Sequence, residues 1–232
     1  MLDIPKIRAI SIDLDDTLWP IWPTIRRAEA LLLAWLQHHA PASAALYASV
    51  DYRMQLRESL VAAQPQFGVD LSGLRHATLH HTLQRAGEDT ALADPAFEVF
   101  FNARQQVELY ADALPALARL AQRYPVVALS NGNADLARMG LGAYFHAALS
   151  AQTFGVGKPD VRFFAAAAEV ANTPLDTVLH IGDDAALDVA GAHAAGMQAA
   201  WVNRTPDAWS HPGPPPHANT PDLLALCDLL GV

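Results

Sequence analysis

The sequence predicts an α/β protein, a Rossmann-like doubly wound parallel sheet into which an all-helical segment is inserted. Short apolar runs with little alternation recur along the chain, as in strands buried on both faces of a parallel sheet. Amphipathic helical patterns separate these runs, and such alternation implies right-handed βαβ crossovers with helices on both faces. One long stretch, residues 18–110, carries helical patterns without a convincing strand.

The strand candidates are short apolar runs, most of which lead into polar residues. The first is IRAISI at residues 7–12. The others are YPVVALSNG at 124–132, the shorter HAALSAQ at 146–152, DTVLHIGDD at 176–184 and GMQAAWVNR at 196–204. The predicted helices of this part are ALPALARLAQR, ADLARMGLG, PDVRFFAAAAEVAN, LDVAGAHAAG and the final PDLLALCDLL. Gly140 and Gly196 lie where helix ends are expected.

The stretch after the first strand predicts an inserted helical domain. Its amphipathic patterns are IRRAEALLLAWLQHH, SAALYASVDYRMQLRESLVAA, LRHATLHHTLQRAG and PAFEVFFNARQQVELY. A structureless loop of this length is uncommon in a compact domain. We therefore expect a helical cap at residues 18–110 and an α/β core formed by residues 1–17 and 111–232.

Composition narrows the class of protein. The chain has 232 residues and is 52% hydrophobic, enough for one large domain or a core with an insertion. Its net charge of −9 argues against general affinity for nucleic acid or anionic membrane. The single cysteine, Cys227, fits a reducing compartment. With neither a signal-peptide pattern nor an apolar run of the ~20 residues that a membrane span needs, we expect a cytoplasmic protein.

Three aspartates directly after the first strand raise an electrostatic question. Asp13, Asp15 and Asp16 follow IRAISI within four residues. At about 4 Å and an effective dielectric near 20, each like-charge pair costs about 4 kcal/mol. A positive partner is therefore expected beside them, unless the side chains point apart.

Further polar residues follow the other predicted strands. In open α/β sheets, ligand sites form outside the carboxyl ends of the strands. The residues expected to converge there are Asp13, Asp15, Ser130, Asn131, Gly132, Asp183, Asp184 and, from the loop GVGKPD, Lys158. The sequence thus brings a carboxylate cluster, a hydroxyl and an amine to one crevice.

This ordered set resembles the haloacid dehalogenase (HAD) superfamily. The four motifs are DLDDT at 13–17, SNG at 130–132, Lys158 and GDDAALD at 182–188, and the resemblance runs from about residue 7 to residue 204. The helical insertion is similar to the cap of many members. VVALSNGNADLARMGLGAYF and VLHIGDDAALDVAGAHAAGMQAAWV look most like the bacterial phosphatases of flavin mononucleotide and 5-amino-6-(5-phosphoribitylamino)uracil, whereas the insertion resembles that subgroup less.

The resemblance implies a role for each motif residue. Asp13 is the nucleophile and Asp15 the general acid and base. The implied Mg²⁺ ligands are Asp13, Asp183 and the backbone carbonyl of Asp15. The implied phosphate-binding set is Ser130, Asn131, Gly132 and Lys158.

General chemistry agrees with these roles. A carboxylate that attacks a phosphate dianion needs a hard cation between the two anions. Attack by Asp13 gives an aspartyl-phosphate, and Asp15 protonates the leaving alkoxide and later activates water. Two other activities are also compatible with the sequence, 2-haloacid dehalogenation and phosphomutase chemistry. Dehalogenation needs neither the metal nor Asp15, and a non-catalytic protein would be expected to carry a damaged motif.

For several other polar or aromatic residues, the sequence is compatible with either a functional or a purely structural role. Asp184 either supports the metal from outside its ligand shell or caps a helix, and Asp188 is expected to orient Lys158 or Asp183. Trp19 and Trp22, in the hinge to the insertion, either pack there or stack on an aromatic substrate ring. Arg75, in the insertion, either meets a substrate phosphate or ribityl group or is a solvated surface residue.

Overall fold

The computed structural model describes residues 1–205 and 207–232 and contains two compact units. Met1–Pro20 and Glu108–Val232 form the sheet unit, and Ile21–Val107 forms the helical unit. Within the described residues, no helix combines the length and apolar character that a membrane crossing requires.

The sheet unit is built on an all-parallel sheet. Among the described residues it has six strands, in the spatial order β3-β2-β1-β4-β5-β6. The strands are β1 (Ala9–Ile12), β2 (Val126–Ser130), β3 (Ala147–Ser150), β4 (Val178–Gly182), β5 (Gln198–Val202) and β6 (Ala218–Thr220). Strands β1, β2, β4 and β5 are buried along their whole length, which explains why their sequences are continuous apolar runs.

The topology places the end of β1 at the switch point of the sheet. The chain runs from β1 to β2 and β3 on one side and then returns to β4 on the other side of β1. Ile12 pairs with Ala128 of β2 and with Ile181 of β4, so the three strands end at the same edge. In doubly wound sheets this is where ligands bind.

Helices cover the sheet, and those predicted from ALPALARLAQR and PDVRFFAAAAEVAN are both present in the structure. These helices are α6 (Ala113–Arg123), α7 (Ala151–Phe154), α8 (Val161–Val170), α9 (Gly191–Ala195) and α10 (Leu223–Leu230), with a π-helical turn at Ala185–Ala190. Phe163 and Phe164 of α8 are fully buried in the core that β1, β2, β4 and β5 share. The predicted α/β class with a parallel sheet is confirmed.

Two local expectations differ from the structure. ADLARMGLG forms a single helical turn rather than a helix, because Gly140 adopts a left-handed φ of 73° and ends it. The edge strand β6 was not predicted, since its three residues carry no apolar run.

The helical unit comprises five helices in the described chain. They are α1 (Ile21–His39), α2 (Pro41–Tyr47), α3 (Val50–Ala63), α4 (Leu71–Ala86) and α5 (Ala93–Arg104). The pattern at 43–63 divides into α2 and α3 because the Ser49 side chain caps α3, accepting from Tyr52 N–H at 3.2 Å. Leu32, Leu36, Leu79 and Phe100 form part of the buried core of this unit.

Candidate active site

The turn after β1 presents the aspartates of DLDDT. Asp13 N–H donates to Ile181 O at 2.9 Å, which extends the pairing of β1 with β4 by one residue. Asp16 then adopts a left-handed φ of 60°, a conformation that Asp tolerates better than most residues, and its N–H donates to Trp19 O at 2.7 Å. This reversal lets Asp13 and Asp15 both line an open crevice of about 180 Å³.

Lys158 lies between two of the carboxylates. Its ammonium donates to Asp13 Oδ1 and, at 2.6 Å, to Asp188 Oδ1, and all three side chains are buried. Burial opposes the charge of Lys158, but Asp13 and Asp188 outweigh burial and raise its pKa above the usual value. Lys158 is therefore a cation that neutralises part of the local negative charge.

Asp188 is held from three directions. Besides Lys158, Oδ1 accepts from His180 Nε2 at 3.0 Å, while Oδ2 accepts from Asp184 N–H at 2.9 Å. Burial would raise the pKa of Asp188, but Lys158 and His180 lower it below the usual range. The contact with Lys158 is the one expected from the sequence.

Asp183 lies beside Asp13, and Thr17 joins the two. The Thr17 hydroxyl is 2.9 Å from Asp183 Oδ1 and 3.3 Å from Asp13 Oδ2. Trp201 Nε1–H donates to Asp183 O at 2.6 Å and fixes the backbone after β4. Burial, and next the charge of Asp188, raise the pKa of Asp183 to about 7.

The donor set fits a hard divalent cation. Carboxylate oxygens of Asp13, Asp183 and Asp188 all lie within 4.8 Å of one another. Asp188 accepts three hydrogen bonds, from Lys158, His180 and Asp184 N–H. Asp13 and Asp183 accept fewer from the described residues, so they are the better ligand candidates. Oxygen-only ligands with excess negative charge are what Mg²⁺ prefers.

The end of β2 supplies the polar side of the crevice. Ser130 Oγ accepts from Gly132 N–H at 2.9 Å, which leaves the Ser130 hydroxyl proton to donate to a ligand. Asn131 also lines the crevice, and its side chain contacts the backbone of Lys158. Its amide donates to Lys158 O at 2.8 Å and accepts from Lys158 N–H at 2.7 Å, so it holds the lysine loop in place.

Trp19 supports Asp15 from below the crevice. Trp19 is 0% exposed, and its Nε1–H donates to Asp15 Oδ1 at 2.8 Å. A fully buried ring offers no face to a substrate, so the structure favours packing over stacking for Trp19. Asp15 itself lines the crevice.

The remaining two sequence candidates act within their own elements. Asp184 caps the π-helical turn, accepting from Ala186 N–H and Leu187 N–H at 2.7 Å, although it also lines the crevice. Arg75 is only 8% exposed, which corrects the expectation of a solvated side chain. Its guanidinium donates to Glu29 at 2.7 Å and to Tyr47 at 2.9 Å inside the helical unit.

Sequence reasoning missed three residues of this site: Thr17, His180 and Trp201. Thr17 follows Asp13 by four residues in the motif DLDDT, which is the one signal that could have pointed to it. His180 lies in the predicted strand DTVLHIGDD, two residues before Gly182. In a strand these two positions share a face, so a buried side chain at residue 180 could have been expected. No sequence signal linked Trp201 to Asp183, because that contact depends on the pairing of β4 with β5.

Comparison with known proteins gives this arrangement a family. Residues 7–196 match the haloacid dehalogenase-like hydrolase family. The chain belongs to that family. The resemblance drawn from the four motifs is thereby confirmed, and the protein is an enzyme of the hydrolase type.

Individual relatives carry different activities in their names. The chain is 35% identical over 201 residues to the 5-amino-6-(5-phospho-D-ribitylamino)uracil phosphatase YigB of Escherichia coli, covering 85% of this chain and 84% of that protein. It is 34% identical over 136 residues to the phosphoserine phosphatase of Thermus thermophilus, covering 56% and 55%. The crystal structure of a 2-haloacid dehalogenase from Pseudomonas syringae pv. Tomato matches with a TM-score of 0.92 and 38% identity, over 97% of this chain and 98% of that chain.

Proposed function

We propose that the protein is a Mg²⁺-dependent phosphomonoesterase that acts through an aspartyl-phosphate on Asp13. One observation carries the proposal: Lys158 is the one ammonium that contacts, among the described residues, a cluster in which carboxylate oxygens of Asp13, Asp183 and Asp188 lie within 4.8 Å of one another. This excess of carboxylate, next to a crevice lined also by Ser130, suits a cation and a phosphate dianion together.

In this mechanism each side chain has one task. An Asp13 oxygen attacks phosphorus in line with the leaving oxygen, and the P–O bond to the alcohol breaks as the new bond forms. Lys158 and the Ser130 hydroxyl bind the non-bridging oxygens and stabilise their growing charge. Asp13 and Asp183, with the backbone carbonyl of Asp15, would hold Mg²⁺, which when bound offsets the repulsion between nucleophile and phosphate.

Asp15 handles the proton. Its carboxyl group donates a proton to the departing alkoxide and, as a carboxylate, then removes one from the water that hydrolyses the aspartyl-phosphate. Trp19 assists by fixing Oδ1 of Asp15 at 2.8 Å. The transferred phosphoryl group leaves as inorganic phosphate, and Asp13 is regenerated.

The substrate is proposed from the relatives. YigB supports 5-amino-6-(5-phosphoribitylamino)uracil, a precursor of riboflavin, and flavin mononucleotide is the related candidate from the sequence resemblance. Both are small phosphate esters of the cytosol. We propose that the helical unit, Ile21–Val107, serves as the cap that selects among such leaving groups.

The similarity to a 2-haloacid dehalogenase makes dehalogenation the second candidate function. At 38% identity that dehalogenase is as similar to this chain as the phosphatase relative. Dehalogenation also uses an attacking aspartate but has no use for a proton donor at Asp15 or a cation at Asp183. Because both carboxylates line this crevice, phosphate ester hydrolysis is favoured.

Two assays in parallel decide between these functions. We expect phosphate release from p-nitrophenyl phosphate, flavin mononucleotide and the ribityl-pyrimidine phosphate with millimolar Mg²⁺, its loss with EDTA, and no chloride release from 2-chloropropionate. Chloride release that survives EDTA, without phosphatase activity, would establish the dehalogenase instead.

Thermal unfolding tests the metal without relying on activity. Mg²⁺ at about a hundredfold its Kd should stabilise the protein by about 2.7 kcal/mol, and Asp183→Asn should remove this gain. Asp184→Asn is the matched control, since Asn also caps a helix and the Mg²⁺ effect should persist. An equal loss in both variants would place Asp184 in the metal site.

A further inference from the structure

A hydrogen-bonded chain extends from the carboxylate cluster into the sheet, through residues that the mechanism above leaves unused. His180 of β4 and Ser11 of β1 are paired in register, and both are 0% exposed. Ser11 Oγ lies 2.8 Å from His180 Nδ1, and His180 Nε2 lies 3.0 Å from Asp188 Oδ1. Asp188 contacts Lys158, which contacts Asp13.

The direction of this chain follows from its donors and acceptors. An ionised Asp188 can only accept, so His180 Nε2 carries a hydrogen. Burial lowers the pKa of His180 by more than the hydrogen bond and the charge of Asp188 raise it, and the net lowering favours the neutral ring. The Nδ1 atom of a neutral ring with hydrogen on Nε2 is an acceptor, so the Ser11 hydroxyl donates to it.

Packing fixes the imidazole in this orientation. The ring of Phe164 stands edge-on to the ring of His180, with centroids 5.0 Å apart and an interplanar angle of 83°. Gly182 leaves room for the Asp188 side chain, which a Cβ at residue 182 would strike. A glycine at residue 182 therefore allows the Asp188 carboxylate to take the position in which it accepts from His180.

The consequence concerns Lys158. Its ammonium lies against two carboxylates, and only Asp13 forms a bond to phosphorus in the proposed reaction. Asp188 has to hold the ammonium while Asp13 moves to phosphorus, which requires that Oδ1 of Asp188 keep its orientation. The hydrogen bond from His180 reaches that same oxygen.

We propose that His180 is a positioning residue, oriented by Ser11, that holds Asp188 so that Lys158 stays in place beside Asp13 during attack. The proposal rests on the phosphatase function proposed above. It predicts that the donor on Nε2, rather than the bulk of the ring, is what the reaction needs.

Two substitutions separate donor from bulk. His180→Phe keeps an aromatic ring without the donor, and kcat for p-nitrophenyl phosphate should fall about 10- to 100-fold, the usual cost of losing a group that orients a site residue. His180→Gln retains an N–H₂ near the Nε2 position and should recover most of kcat, while KM changes little in either variant. His146→Gln, at an exposed histidine of the same unit, is the control and should match the wild type.

A second measurement does not depend on activity. It is made on the wild-type protein, so it tests the proposal even if His180→Phe does not fold. Long-range ¹H–¹⁵N spectra of the wild type should show His180 with hydrogen on Nε2 and none on Nδ1. Ser11→Ala should alter that signal and lower kcat roughly 2- to 10-fold, as expected for one hydrogen bond.

The outcomes distinguish this proposal from the function on which it depends. Equal losses in His180→Phe and His180→Gln, or a wild-type ring with no hydrogen on Nε2, would overturn the role of His180 while the protein remains a phosphatase. A wild-type protein that hydrolyses no phosphate ester would overturn the proposed function itself.

Discussion

Each unit of the molecule buries a cation, and the two surroundings differ in charge. In the sheet unit, Lys158 contacts Asp13 and Asp188, with Asp183 close by. In the helical unit, Arg75 contacts one carboxylate, Glu29, and one phenol, Tyr47. The Arg75 guanidinium also lies 3.4 Å from the centroid of the Phe100 ring.

The difference separates a structural ion pair from a candidate active site. The Arg75–Glu29 pair joins side chains from α1, α2, α4 and α5 within a core, and Arg53 and Arg57 add positive charge near it. The Lys158 cluster has more carboxylates than cations and borders a crevice. Burial of a charge is common to both, so uncompensated charge beside an opening is the better sign of chemistry.

The largest expected effect is at the nucleophile of the sheet cluster. Asp13→Asn removes the attacking anion, and turnover of every phosphate ester should fall roughly 10⁶-fold, as for other covalent nucleophiles. The variant should still fold, because it relieves repulsion with Asp183 and Asp188. Phosphate release together with a thermal unfolding curve measures both effects. Residual turnover within tenfold of the wild type would exclude Asp13 as the nucleophile.

Asp15→Asn should have a smaller effect that depends on the leaving group. Lost proton transfer costs about 10²- to 10⁴-fold for an alkyl phosphate, whose alkoxide needs the proton. p-Nitrophenolate leaves without it, so the first step should survive better and the aspartyl-phosphate should accumulate. Rapid mixing should show a burst of nitrophenolate, and mass spectrometry after acid quench should find the phosphoryl group on Asp13. Equal slowing of both esters with no burst would contradict the acid–base role.

Arg75→Met tests the other side of the comparison. Removing the guanidinium takes away the hydrogen-bonded partner of Glu29, although Arg57 remains near that carboxylate. The free energy of unfolding should fall by about 2 kcal/mol, as for a hydrogen bond between charged groups. Urea unfolding measures this loss. Below the unfolding transition, kcat for p-nitrophenyl phosphate should stay near the wild-type value. A stable variant with a large loss of kcat would return Arg75 to the list of substrate contacts.

The sequence predicted which motif residues converge at the crevice, but it did not predict the residues that hold them in place. The reason for this difference is physical. Asp13, Asp183 and Lys158 lie in short motifs at strand or loop ends, where a parallel sheet must bring them together. The Ser11–His180 contact joins residues 169 apart in sequence, and the Arg75–Glu29 contact joins residues 46 apart. Such partners follow from strand order and helix packing, which periodicity alone does not reveal.

The same limit explains Trp19, which sequence reasoning placed equally between hinge packing and substrate stacking. Its burial and its hydrogen bond to Asp15 favour an indirect role, through the general acid.

Trp19→Phe keeps an aromatic ring at this buried position and removes the N–H donor together with the pyrrole part of the indole. The lost donor should lower kcat about tenfold, the effect of roughly 1.4 kcal/mol in the transition state. Because the donor acts on Asp15, the loss should be larger for an alkyl phosphate than for p-nitrophenyl phosphate, whose leaving group needs no proton. A ring that stacks on substrate predicts a different pattern, in which KM for flavin mononucleotide changes and the small esters are unaffected. Steady-state kinetics on flavin mononucleotide, p-nitrophenyl phosphate and a simple alkyl phosphate distinguish the two. Trp35→Phe, at a tryptophan packed against the core of the helical unit, is the matched control and should leave all three rates unchanged.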